Sequence, residues 1–204
     1  MSLEPESPDR GPGRPSDGPY LLHMHDDLER ARAKWGYRGS QRPPFAVDPG
    51  PREESVWDYP RPPRLDPDSR EVRVLYKGTV VAESARAVRV LETASPPVFY
   101  LPPDDVRTEH LTHGAGTSLC EWKGAASYWS LALDGSDIPN VGWSYEQPFP
   151  EFTAIQSYMS FYPGKLECYV GAHRVLPQAG GFYGGWVTPE IVGPFKGEPG
   201  TAGW

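Results

Sequence analysis

Cysteine, basic charge and long apolar runs are scarce in this sequence, and each scarcity excludes something. Only Cys120 and Cys168 occur among 204 residues. That is too few for a disulfide framework, and the pair reads as reduced packing thiols, with a Cys120–Cys168 bridge left open. Lys and Arg number 20 against 27 Asp and Glu, a formal net charge of −7. A chain so acidic offers no broad basic face to neutralise phosphates, so neither nucleic acid nor an anionic membrane is expected as a partner. No apolar run approaches the roughly 20 residues that span a bilayer, and Met1–Arg10 has neither the basic start nor the apolar stretch of a secretion signal. The cytoplasm is the expected compartment.

What is present is proline, glycine and aromatic rings, unevenly spread. Residues 1–19 hold almost nothing apolar, so the entropy of ordering them is not offset and a disordered tail is expected. Residues 20–70 read as a docking helix followed by a proline-rich arm. Leu21, Met24, Leu28, Ala31 and Trp35 recur at helical spacing, with Gly36 where the helix would stop. A helix this short needs a surface, either its own β domain or another subunit, so a homo-oligomer through the arm stays open. His23 and His25, two apart, face different ways and read as surface histidines. From Arg42 to Pro67 the prolines favour an extended chain. Trp57 and Tyr59 read as anchors onto the parent domain, with a PxxP-type ligand as the alternative.

Residues 71–176 are expected to form the β domain. Val72–Tyr76 and Thr79–Ala82 flank Lys77-Gly78, a hairpin signal. Ala85–Thr93 fits a helix or a strand equally. Val98–Leu101, Tyr128–Leu133, Val141–Tyr145, Tyr158–Tyr162 and Leu166–Val170 read as strands, the last two as a hairpin across Pro163-Gly164. Short strands with frequent Gly and Pro predict a mainly β, half-open antiparallel sandwich or barrel. Residues 177–204, rich in glycine and aromatics, are expected to pack as an irregular C-terminal strap.

The runs SVWDYPRPPRL at 55–65, RVLETASPPVFYLPPDDV at 89–106, CEWKGAASYW at 120–129, VGWSYEQP at 141–148 and GGFYGGWVTPEIVGPFKGEPGT at 180–201 together resemble the bacterial domain of unknown function 427 family. The resemblance implies a β-tent architecture, seen also in the thalidomide-binding domain of cereblon, methionine sulfoxide reductase B and the glutathione-dependent formaldehyde-activating enzymes. The family is sometimes labelled nucleotidyltransferase-like, yet this chain carries no phosphate loop and no paired-carboxylate motif for that chemistry. Many β-tent proteins hold zinc with two CxxC pairs. This sequence has none, so no zinc and no cofactor are expected.

The densest chemistry lies in Cys120–Trp129. In C-x-x-K-G an ammonium at Lys123 near the Cys120 sulfur could make a nucleophile or redox centre, although no histidine is fixed beside it; a buried structural thiol is the plainer reading. Glu109, His110, His113 and Cys120 supply metal-type donors, but their spacing matches no ligand pattern. Gly114-Ala115-Gly116-Thr117, read as a loop, begins like a dinucleotide motif, but Leu119 stands where its third glycine belongs. Trp122, Trp129, Trp143 and Tyr145 are either core or the walls of a pocket for a flat or cationic ligand. Since β-tent relatives bind ligands on the open face of the tent, the leading expectation is a small molecule or peptide-like group in an aromatic cleft. Trp129, Trp143 and Tyr145 would be the walls, with Trp122 beside them and Lys123 as a polar contact. The alternatives are an enzyme using Cys120 and a structural adaptor acting through arm and strap.

Overall fold

The computed structural model describes residues 19–204, with side chains from Asp26 onward. Of the tail expected at 1–19, residues 1–18 lie outside the described residues, as do the side chains of Leu21 and Met24 on the expected docking face, while Pro19 opens the helix. Helix α1 covers Pro19–Ala33, and the chain then crosses the arm to β1, Glu54–Ser55. The strands that follow are β2 Arg64–Asp68, β3 Val72–Tyr76, β4 Thr79–Ser84, β5 Ala87–Leu91, β6 Val98–Tyr100, β7 Leu111–Cys120, β8 Gly124–Leu133, β9 Ser136–Ser144, β10 Met159–Phe161 and β11 Glu167–Val170. Short strands β12 His173–Arg174, β13 Leu176–Pro177, β14 Trp186–Val187 and β15 Ile191–Val192 close the chain. No helix among the described residues is long and apolar enough to cross a membrane.

The fold is mainly β and sandwich-like, made of antiparallel sheets and one short parallel pair, β1–β15, that do not close into a barrel. One sheet runs β10-β9-β8-β7, a second β12-β11-β3-β4 and a third β2-β5-β6. Lys77 and Gly78, with φ of 48° and 83°, make the tight β3–β4 turn, in which a positive φ at both central residues suits the twist of the strands. The segment that fits helix or strand equally is strand β5, because it is held on both sides by β2 and β6. A strand with two partners satisfies its backbone groups whatever its propensity.

Two expectations are corrected. Tyr158–Tyr162 and Leu166–Val170 are not a hairpin: β10 pairs with β9, and β11 pairs with β3 and β12. The turn in which Tyr162 O accepts from Lys165 N and Leu166 N sends the chain from one sheet to the next. Gly114–Thr117 is not a loop but part of β7, where the register with β8 shifts between His113 and Thr117. A glycine run disrupts the alternation by which a strand is recognised, while a β-bulge accommodates it.

Three apolar clusters result. The largest packs Val72 and Val74 of β3, Leu131 of β8, Phe161 of β10 and Cys168 of β11 between the sheets. A second, rich in aromatic rings, joins Trp35, Tyr100, Trp122, Trp143 and Tyr145. In the third, Trp57 and Tyr59 of the arm are buried with Leu91 of β5 and Ile191 of β15, and Trp57 donates its indole N–H to the Pro194 carbonyl at 3.1 Å.

Candidate functional site

A cavity of about 290 Å³ opens beside the aromatic cluster, and its walls follow from strand periodicity. Alternate residues of a strand share a face. The lining side chains accordingly come as pairs two apart: Val90 and Glu92 leading out of β5, Val98 and Tyr100 of β6, Ser118 and Cys120 of β7, Ala126 and Tyr128 of β8, and Trp143 and Tyr145 at the end of β9. Register aligns them, since Ser118 lies opposite Ala126, and Tyr128 opposite Trp143. The three-residue turn Glu121–Lys123 between β7 and β8 brings Lys123 back over this face. Lys34 and Trp35, just past α1, and Phe182, Tyr183, Gly184 and Lys196 of the C-terminal segment complete the enclosure.

Hydrogen bonds fix the rings. Trp143 donates its indole N–H to the Tyr100 hydroxyl at 3.0 Å, the Ser118 and Tyr128 hydroxyls lie 2.8 Å apart, and Trp35 donates to Glu121 Oε1 at 2.6 Å. Trp143 and Tyr162 meet with ring centroids 4.5 Å apart. Gly184 lies against Trp143 so closely that a Cβ there would come within 2.0 Å of the indole. The glycine is therefore required for space, and it lets the C-terminal segment close over the ring. Trp143 is consequently 7% exposed although it lines the cavity, so wall and core are the same residue here.

The charges inside are unusual. Lys123 and Lys196 are buried, yet every ion pair among the described residues is made by an arginine. Burial opposes the Lys123 ammonium, but the Cys120 sulfur, the Tyr100 oxygen and the Glu92 carboxylate favour its charged form and hold its pKa above the ordinary value. Its Nζ lies 5.8 Å from the Tyr145 ring centre and 5.9 Å from that of Phe152. Burial pushes the Tyr100 and Tyr145 phenols up, so both stay neutral donors. Lys196 is the opposite case: burial, with Arg61 and Lys34 nearby, lowers it to about 8 against the pull of Glu92. Its Nζ sits 3.5 Å from the centre of the Trp35 ring, over which the Arg61 guanidinium also lies at 4.6 Å. Arg61 in turn holds Glu92 at 3.0 Å.

Of the residues singled out from the sequence, Cys120, Lys123, Trp143 and Tyr145 meet at this cavity. Trp122 and Trp129 do not line it. Trp122 packs in the aromatic cluster beneath Arg32, whose guanidinium is 5.3 Å from its ring, and its buried indole N–H has no partner. Trp129, one residue along β8 from Tyr128, faces the other way, stacks on His113 at 4.3 Å and donates to Ser144 Oγ at 2.8 Å. Among the described residues no three His, Cys, Asp or Glu side chains gather as a metal site would need. Lys34, Trp35, Glu92, Tyr100, Tyr162, Tyr183 and Lys196 are lining residues that the sequence reading did not select. The i, i+2 pattern of Val98 and Tyr100 was available as a signal; Lys196, in an irregular segment, carried none.

The model of a family described as domain of unknown function (DUF427) matches residues 64–171. The match spans β2 to β11 and so takes in the strands that form the cavity, while Lys34, Trp35 and residues 182–196 lie outside it. No curated protein matches the chain in sequence.

Proposed function

Because the chain belongs to the domain of unknown function (DUF427) family, whose description assigns no reaction, we propose from its geometry that it binds a small molecule in the aromatic cavity. The observation that carries this is the cavity itself: about 290 Å³, walled by paired side chains from five strand segments and roofed by the C-terminal segment. That volume is near the lower end of the range for ligand pockets, which suits a metabolite or a single peptide-like group. Trp143, Tyr145 and Tyr128 offer ring faces and edges for a flat body, and the phenols of Tyr100 and Tyr145 offer neutral donors. The net charge of −7 supports this class of partner over nucleic acid.

The test is a thermal-shift screen of aromatic metabolites against the protein and Gly184→Ala. The added methyl group meets the Trp143 ring, so the indole must move into the cavity or the roof must lift. Overpacking of this kind costs about 1–3 kcal/mol. Compounds that raise the melting temperature of the parent are expected to lose most of that effect on the variant. Equal shifts on both proteins would place binding elsewhere, and a screen with no hit would end the binding reading.

A second reading rests on Cys120, which lines the cavity near Lys123. A sulfur beside a buried ammonium is one setting for a nucleophilic thiol. Cys168 is an internal control, being buried with its thiol pushed far up. Rapid labelling of Cys120 by iodoacetamide at neutral pH, with Cys168 unlabelled, would favour this reading; equal inertness would dismiss it.

A further inference from the structure

The aromatic rings of the cavity already carry cations. Lys196 and Arg61 occupy the Trp35 ring, and Lys123 lies near Tyr145 and Phe152. A cationic ligand would meet like charge there, which argues against the use that an aromatic cage most often serves. Neither Lys123 nor Lys196 has a carboxylate oxygen within 4.0 Å among the described residues. Glu92 is committed to Arg61 at 3.0 Å, and Glu121 accepts from Trp35 at 2.6 Å. Buried charges are ordinarily paired, because removing an ion from water without a counter-charge costs several kcal/mol. Since Glu92 is already matched by Arg61, the lining lysines Lys34, Lys123 and Lys196 have only Glu121 against them, and positive charge is in excess. The missing partner is therefore negative charge.

We propose that the ligand of this cavity is a planar anion, an aromatic or heteroaromatic ring bearing a carboxylate, whose charge is met by the ammonium groups of Lys123 and Lys196. This rests on the binding reading above and narrows it. The ring lies against Trp143 and Tyr128, and the carboxylate accepts from the lysines. Groups facing Lys196 from the surrounding elements are Glu92 after β5, Arg61 of the arm, Lys34 past α1, Glu121 of the β7–β8 turn and the Tyr183 ring. With Lys196 at about 8 in the free protein, an anion that binds beside its ammonium raises that value, so the protein takes up protons on binding near pH 8.

The experiment is isothermal titration with three probes of one shape, naphthoate, naphthamide and naphthylmethylammonium, at pH 7 and again at pH 8 in two buffers of different ionisation enthalpy. Naphthoate is expected to bind at least about tenfold tighter than naphthamide, as a charge-assisted contact implies. The ammonium compound is expected to bind weakest. At pH 8 naphthoate should bring proton uptake and naphthamide none. Lys196→Gln should abolish most of the preference for naphthoate and leave the affinity for naphthamide in place. If that variant does not fold, proton uptake by the unaltered protein decides the point. Naphthamide binding as tightly as naphthoate, or naphthoate binding without proton uptake, overturns the anion inference and leaves the small-molecule reading standing. Failure of all three at millimolar concentration overturns both.

Discussion

On one face of β8, Leu131 and Leu133 enter a cluster of Val, Leu, Phe and Met packed between the sheets; on the other face, Ala126 and Tyr128 border the cavity. The two faces belong to one strand and differ by a single residue of phase. The inter-sheet side is dry and mostly aliphatic, with Leu131, Val72 and Phe161 entirely excluded from solvent. The cavity side is built from phenols, indoles and ammonium groups that hydrogen-bond or stack with one another. Aliphatic side chains stabilise by filling volume at high density. Aromatic side chains with polar atoms can also hold an opening of set shape, since their positions are tied by directional contacts as well as by contact area.

Cutting one residue on each face separates the two most directly. Leu131→Ala should cost about 3–5 kcal/mol by urea denaturation, because it leaves a void in a packed interior. Trp143→Ala removes a larger side chain but borders space that is already open, so about 2–3 kcal/mol is expected. Trp143→Ala costing as much as Leu131→Ala or more would mean that the aromatic face is ordinary core.

A smaller effect should appear with pH in the ligand-free protein. Lys196 falls from its ordinary 10.5 to about 8, so below pH 8 it is charged in both states and its burial penalty is fully present. Between about pH 8 and 9 the unfolded chain keeps a Lys196 proton that the native state has released, and stability rises. Burial pushes the Cys168 thiol up from its ordinary 9.0, so above about pH 9 the native state keeps a proton that the unfolded chain loses and offsets Lys196; above about pH 10 Tyr59, Tyr100, Tyr145 and Tyr162, pushed up by burial, and Lys123, held high, make stability fall. Denaturation midpoints from pH 7 to 11 should therefore rise to about pH 9, level off and then fall, with a gain of about 1 kcal/mol after allowing for water at the cavity mouth. A steady decline from pH 7 would show that Lys196 is not desolvated. The smallest expected effect is that of Ser118→Ala, which removes the 2.8 Å contact with Tyr128 and should cost about 0.5–1 kcal/mol. A loss above about 2 kcal/mol would make that contact part of a wider network.

Patterns along the chain were enough for the class of this protein and for seven of its fifteen described strands, while β7 went unread and β2 was taken as part of the arm. Alternation marked β3, β6 and the ends of β8 and β9, and Lys77-Gly78 marked the first hairpin, because these signals depend only on neighbours along the chain. The same short-range rule put Trp143 and Tyr145 on one face and Tyr128 and Trp129 on two. Which of the two faces met a cavity was a matter of what lay across from it, and Trp129 turned to His113 and Ser144 where Tyr128 turned to Ser118. Tertiary structure alone decided that β10 and β11 enter different sheets, since a Pro-Gly turn fixes a reversal but not the strand that receives the returning chain. It also decided the charges of the site. Lys123, Lys196, Glu92 and Arg61 are far apart in sequence, and their pairing or lack of it is a property of distance in space, which no local pattern of residues encodes.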